Sequence, residues 1–221
     1  MRTIAISFLL LVGSVLAKDY SYFIPPPGWE MADPSLSTQL TNASFISQAH
    51  PGCSISLSVE PTEGSLKDYV AAVKALFVQD PNARWREIGP YKTASGEGRL
   101  VEIEMKSAMG DMRQLQLIQL HNDVAYIVTT SAPKGYFAIL APTFKKVLQS
   151  FSCTTDPLIA LNDKAKRTVL ENAISAFQTK EKTVESPGIA LRKVVLEDFS
   201  EMGALWQIAV LQMARDTSKG M

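Results

Sequence analysis

Two periods run through the apolar positions of this chain. Cys53, Ile55, Leu57 and Val59 alternate with Ser54, Ser56 and Ser58, the pattern of a strand with one buried and one hydroxylated face. Ser44–Ser47 reads as its partner across a His50-Pro51-Gly52 turn. From Ser65 the period lengthens. Leu66, Tyr69, Val70, Val73, Leu76 and Phe77 share one helical face, Ser65 and Asp68 form a capping-box pattern, and Asp80-Pro81-Asn82 stops the helix. Residues 84–131 read as antiparallel strands carrying Trp85 and Ile88, then Leu100, Ile103 and Met105, then Gln114–Leu117, then Val124–Thr130. Met109-Gly110-Asp111 and His121-Asn122-Asp123 supply turns. A second helix is expected from Tyr136 to Gln149, with Phe137, Leu140, Phe144, Val147 and Leu148 on its face and Pro142 kinking or beginning it. This order predicts an α+β fold, an antiparallel sheet flanked by helices.

The pattern changes after Thr154-Thr155-Asp156-Pro157, which reads as a boundary. Leu158, Leu161, Ala165, Val169, Ala173 and Phe177 follow helical spacing to about Thr179, and a polar linker ends at Ser186-Pro187-Gly188. Ile189–Arg215 fits one further helix, although Val194-Val195-Leu196 also suits a short strand. Residues 203–211 are apolar on nearly every side, which calls for burial in the fold or against a partner. Leu205, Trp206 and Ile208 are the expected partner contacts, since aromatic residues are enriched among interface anchors.

The N-terminus carries an address. Arg2 precedes an apolar run from Ile4 to Leu16, and Val15 and Ala17 place small residues at the −3 and −1 positions of a cleavage point between Ala17 and Lys18. The run is shorter than the roughly 20 residues that span a bilayer. Residues 1–17 are therefore read as a signal peptide, and the rest as a protein exported to the periplasm or an equivalent lumen, with no transmembrane span after signal removal. Residues 20–30 contain Pro25-Pro26-Pro27 and suit an edge segment, with Phe23 and Trp29 as core anchors.

Composition narrows the function. The 22 Lys+Arg balance 22 Asp+Glu, so the basic excess that phosphate binding needs is missing and nucleic acid is not an expected partner. Cys53 and Cys153 are the only cysteines; in an exported compartment they are expected to form a disulfide, with two buried free thiols as the alternative. His50 and His121, both in turns, are the only histidines. No Gly-x-Ser-x-Gly elbow occurs, Gly96-Glu97-Gly98 lacks the third glycine of a dinucleotide loop, and the Cys and His spacing shows no zinc set. Glu102 and Glu104 share a strand face and are read as solvated. No catalytic residue, cofactor or metal is expected.

The order of four pieces resembles the PsbP/Mog1-like family over about residues 20–153. They are Phe23–Trp29 as the opening Pro-Gly-Trp strand, Ser65–Asp80 as the early helix, His121–Thr130 as the late turn and strand, and Phe144–Phe151 as a closing helix ending in Ser-Phe. The resemblance implies an antiparallel sheet flanked by helices. It also implies protein binding and complex assembly, to photosystem subunits, a small GTPase or secreted effectors, more than catalysis. The expected organisation is a signal peptide at 1–17, a PsbP/Mog1-like domain at 18–155 and a helical extension at 156–221. The expected role is a non-enzymatic binding or assembly protein with an unidentified protein partner; the alternative is a periplasmic small-molecule or lipid-binding module with an enclosed apolar cavity between sheet and helices.

Overall fold

A computed structural model describes residues 19–33, 41–107, 110–179 and 186–219. The expected signal peptide and its expected Ala17–Lys18 cleavage point lie outside the described residues. The strands are β1 (Tyr20–Tyr22), β2 (Trp29–Met31), β3 (Thr41–Ser47), β4 (Ser54–Pro61), β5 (Ala83–Thr93), β6 (Gly96–Ser107), β7 (Gly110–His121), β8 (Val124–Pro133) and β9 (Ser152–Thr154). The helices are α1 (Leu66–Val78), α2 (Lys134–Ser150), α3 (Lys164–Gln178), α4 (Pro187–Lys193) and α5 (Gly203–Lys219). Seven strands form one antiparallel sheet in the order β2-β3-β4-β8-β7-β6-β5, and β1 pairs with β9 in a separate ribbon.

Alternation sets the two faces of the sheet. Ile55, Leu57, Leu115, Leu117 and Val128 point to one face, where α2 covers them with Phe137, Leu140, Phe144, Val147 and Leu148. Val101, Ile103, Ile118 and Ile127 point to the other, where α1 lays down Val70 with Tyr69, Val73 and Phe77. The Ser65–Asp68 capping box forms as its sequence requires, with the Asp68 N–H donating to Ser65 Oγ at 3.2 Å and the Ser65 N–H to Asp68 Oδ2 at 3.3 Å. Pro142 lies inside α2 and does not begin it.

The helical extension shares the α2-side core. Trp206 is fully buried; its indole N–H donates to the Pro157 carbonyl at 2.9 Å and its ring lies 5.6 Å from that of Phe199. The Tyr20 hydroxyl of β1 donates to the Asp216 carboxylate of α5 at 3.0 Å. Leu205 is buried as well, and of the expected contact trio only Ile208 is exposed. The expectation that Leu205 and Trp206 anchor a partner is therefore corrected: both complete the chain's own core. Leu205 and Ile208 do border an open cleft of about 330 Å³ beside β1 and β3.

The single helix expected from Ile189 to Arg215 is also corrected. The chain leaves α4 through a π-helical turn at Val194–Asp198 and a 3-10 turn at Ser200–Met202, then restarts at Gly203. Gly203 has φ +77°, and a Cβ there would meet Pro25 Cδ at 2.6 Å. Only glycine fits so close to the proline segment in that conformation. The break frees backbone carbonyls, and the buried Gln207 amide satisfies two of them, Val195 O at 3.1 Å and Phe199 O at 3.2 Å.

The expected disulfide does not form. Cys53 and Cys153 are buried free thiols. Cys153 contacts Tyr126, which sits opposite Val59, while Cys53 lies six positions further along β4, a run of about 20 Å. A bridge needs Cα atoms within about 7 Å.

Trp206→Ala is expected to lower stability by about 3–5 kcal/mol in urea unfolding, and Trp206→Phe by less, since it loses chiefly the Pro157 hydrogen bond. Thiol titration of unreduced, denatured protein is expected to find both cysteines reactive, with the same unfolding midpoint with and without reductant.

Candidate functional site

The side of the sheet that α2 covers changes character beyond the first turn of that helix. Arg84 and Arg86 on β5 pair in register with Glu104 and Glu102 on β6, and Glu104 and Glu102 with Arg113 and Leu115 on β7. Glu102 is 4% exposed. Its carboxylate accepts from Arg86 Nε at 3.0 Å and from Arg86 Nη2 and Arg113 Nε at shorter contacts. Arg113 also lies 3.5 Å from Glu104 and places its guanidinium 4.8 Å from the Phe137 ring centre. The reading of Glu102 as solvated is corrected, because the register puts it on the helix-covered face. Burial pushes its carboxyl up, but the hydrogen bonds from Arg113 and Arg86 outweigh burial and hold it below the usual carboxylate range.

Arg113 and Glu104 carry this network to an open cleft of about 250 Å³ at the start of β5 and the end of β6. Arg84, Lys106, Arg113 and Lys134 line it against Glu104 and Asp111. Lys134 begins α2, whose N-terminus has no side-chain cap. The backbone N–H groups of its first turn add positive potential where the basic side chains gather. The arrangement suits an anionic group such as a carboxylate. One signal was present in the sequence: charged residues at i, i+2 on β5 and β6, with Arg113 following on β7. Only the strand register brings them together.

A second cluster sits at the opposite end of β7, about 27 Å away along the strand. Asp19, just before β1, His121 at the end of β7 and Cys153 in β9 bring a carboxylate oxygen, a ring nitrogen and a sulfur within 4.8 Å of one another. The β7–β8 turn is formed by Asn122 and Asp123, both at positive φ (48° and 58°), and sets His121 at the sheet edge. Burial pushes the Cys153 thiol up to about 11, while its hydrogen bond with Tyr126 acts the other way. A thiol held protonated at neutral pH lacks the character of an activated nucleophile. Residue spacing gave no sign of this trio, whose members are far apart in the chain.

The remaining histidine and cysteine sit together at the β3–β4 turn, where the Cys53 N–H donates to the His50 carbonyl at 3.1 Å. The His50 ring lies 3.4 Å from Ser47 Oγ and 5.4 Å from the Tyr136 ring centre, and Cys53 is buried. Phe144, Leu148 and Phe151, all fully buried, pack between the sheet and α2, where an enclosed apolar cavity was the alternative expectation, while between the sheet and α1 Tyr69, Val73, Phe77 and Ile127 line an open cleft of about 400 Å³. Among the described residues, no helix is long and apolar enough to cross a membrane.

No protein-family model matches the chain, and no curated protein matches it in sequence. Solved structures similar to it match the family resemblance in fold. The solution structure of cyanobacterial PsbP from Synechocystis sp. PCC 6803 is 13% identical with a TM-score of 0.46, over 64% of this chain and 96% of that one. LpqN of Mycobacterium tuberculosis, involved in cell envelope biogenesis, is 9% identical with a TM-score of 0.48, over 62% and 84%. The Saccharomyces cerevisiae Ran-binding protein Mog1p is 11% identical with a TM-score of 0.43, over 61% and 94%. These are likenesses of fold, too distant to speak to activity or partner.

Glu102→Gln is expected to destabilise the protein at neutral pH by about 1.5–3 kcal/mol, the range for hydrogen bonds to a charged group. A carboxyl held low in the folded state stabilises above its unfolded value of about 4.3 and loses that contribution as pH falls through the folded value. Denaturation measured from neutral pH to about pH 3 is therefore expected to show a steeper acid loss for the wild type than for Glu102→Gln.

Proposed function

We propose that this is an exported, non-enzymatic accessory protein that binds an acidic segment of a partner protein in the cleft between β5, β6 and the start of α2. The observation that carries the reading is the buried Glu102 carboxylate, which fixes the Arg113 guanidinium at a cleft where Arg84, Lys106 and Lys134 outnumber Glu104 and Asp111. Cations held in place before binding lose less freedom when a carboxylate arrives. The uncapped start of α2 reinforces the same sign of charge. The apolar run at Ile4–Leu16 and the small residues at Val15 and Ala17 support export. The contact surface thus moves from Leu205 and Trp206 to the charged cleft.

Arg84 and Lys134 lie outside the Glu102 hydrogen bonds, so Arg84→Gln with Lys134→Gln, which removes charge without opposing Glu104 with a second carboxylate, is expected to leave the unfolding midpoint nearly unchanged. In crosslinking within the native envelope, the wild type is expected to capture a partner through an acidic peptide, and the double variant to capture it about tenfold less, with capture weakening as salt rises. Equal capture by both forms, or a crosslinked partner peptide without acidic residues, would sink the reading.

A further inference from the structure

We propose that Asp19, His121 and Cys153 are the protein ligands of a site for a divalent metal ion of the zinc class, with the fourth position open to water on the His121 side. The site is separate from the docking cleft and does not rest on it.

The geometry starts from an unsatisfied atom. The Asp19 side chain is 7% exposed, and its Oδ1 is buried with no hydrogen-bond partner among the described residues. Such an atom calls for an explanation, and a bound cation supplies one. His121 Nε2 lies 3.6 Å from that oxygen. Zinc bonds of about 2.0–2.3 Å set tetrahedral ligand atoms roughly 3.3–3.8 Å apart. The Asp19–His121 pair already meets this spacing. The whole trio, within 4.8 Å, closes onto an ion by roughly 1 Å or less.

The surroundings hold the ligands in place. Asn122 Nδ2 donates to the other Asp19 oxygen at 2.9 Å. Ser95 Oγ accepts the Cys153 N–H at 2.9 Å, and the Tyr126 hydroxyl lies beside the Cys153 sulfur. Outer partners of this kind orient metal ligands. The His121 side chain is 41% exposed, which gives an ion a route in and the ring room to adjust. The donor set decides the metal class. Sulfur and imidazole together with one carboxylate disfavour calcium and magnesium, which take oxygen ligands, and suit zinc.

The test is titration of the folded, processed protein, stripped of metal, with Zn²⁺ by calorimetry and with Co²⁺ by absorption spectroscopy. The expected result is a single saturable equivalent, release of the Cys153 thiol proton to solvent as the metal–sulfur bond forms, so that binding weakens as pH falls, and a thiolate-to-cobalt charge-transfer band. Cys153→Ser is expected to abolish that band. His121→Gln, at a half-exposed position that leaves folding intact, is expected to weaken Zn²⁺ binding about tenfold or more, and Asp19→Asn likewise. Cys53→Ser, at the far end of β4, should leave both readouts unchanged. Absence of saturable binding to the wild type, or binding that persists unchanged in His121→Gln and Cys153→Ser, would overturn the proposal.

Discussion

The antiparallel pairing of Tyr20–Tyr22 with Ser152–Thr154 is the joint that the rest of the molecule closes around. It fastens the start of the described chain to the strand that follows α2. From one side of it Tyr20 reaches Asp216 on α5, tying the last helix to the first strand. From the other, Asp19 and Cys153 face His121 at the β7–β8 turn. A ribbon this short has little stability by itself. It persists because Tyr20, Tyr22 and Phe23 are buried in the same core as Trp206 and Phe151, so the extension is a wall of that core.

The Glu102 network obeys a different energetic logic. Placing a carboxylate on the helix-covered face costs desolvation, and its two arginine partners recover that cost without a large surplus. Hydrophobic residues of similar volume would stabilise this part of the sheet at least as well. What the network provides is position. Two guanidiniums that would otherwise sample many rotamers are held at fixed points, and that of Arg113 lies over the Phe137 ring near the uncapped end of α2.

Local period made most of the architecture legible. The alternation at Cys53–Val59, the capping box at Ser65 and Asp68, and the apolar face of α2 each appear where the residue order places them. Information that lives in register was not legible. Glu102 falls on the helix-covered face because of how β6 meets β5 and β7, and no count along β6 alone reveals it. Asp19, His121 and Cys153 meet only through the β1–β9 pairing and the turn at Asn122–Asp123. Trp206 read as apolar surface because helical spacing cannot tell the chain's own core from a partner's. The break at Gly203 was hidden because its cause, the close approach of Pro25, lies far away in sequence.

The β5 strand ends the sheet with eleven residues and an outer row of backbone groups that pair with no described strand. An edge of that length invites a second chain to continue the ladder. Its register shifts between Glu87 and Gly89, with Gly89 at φ +128°, and Pro90 follows without an amide hydrogen to offer. Arg84, Arg86, Glu87 and Lys92 are exposed along it. The irregularity divides one long template into two short charged ones, so the sheet can keep a wide open flank without growing into a fibre.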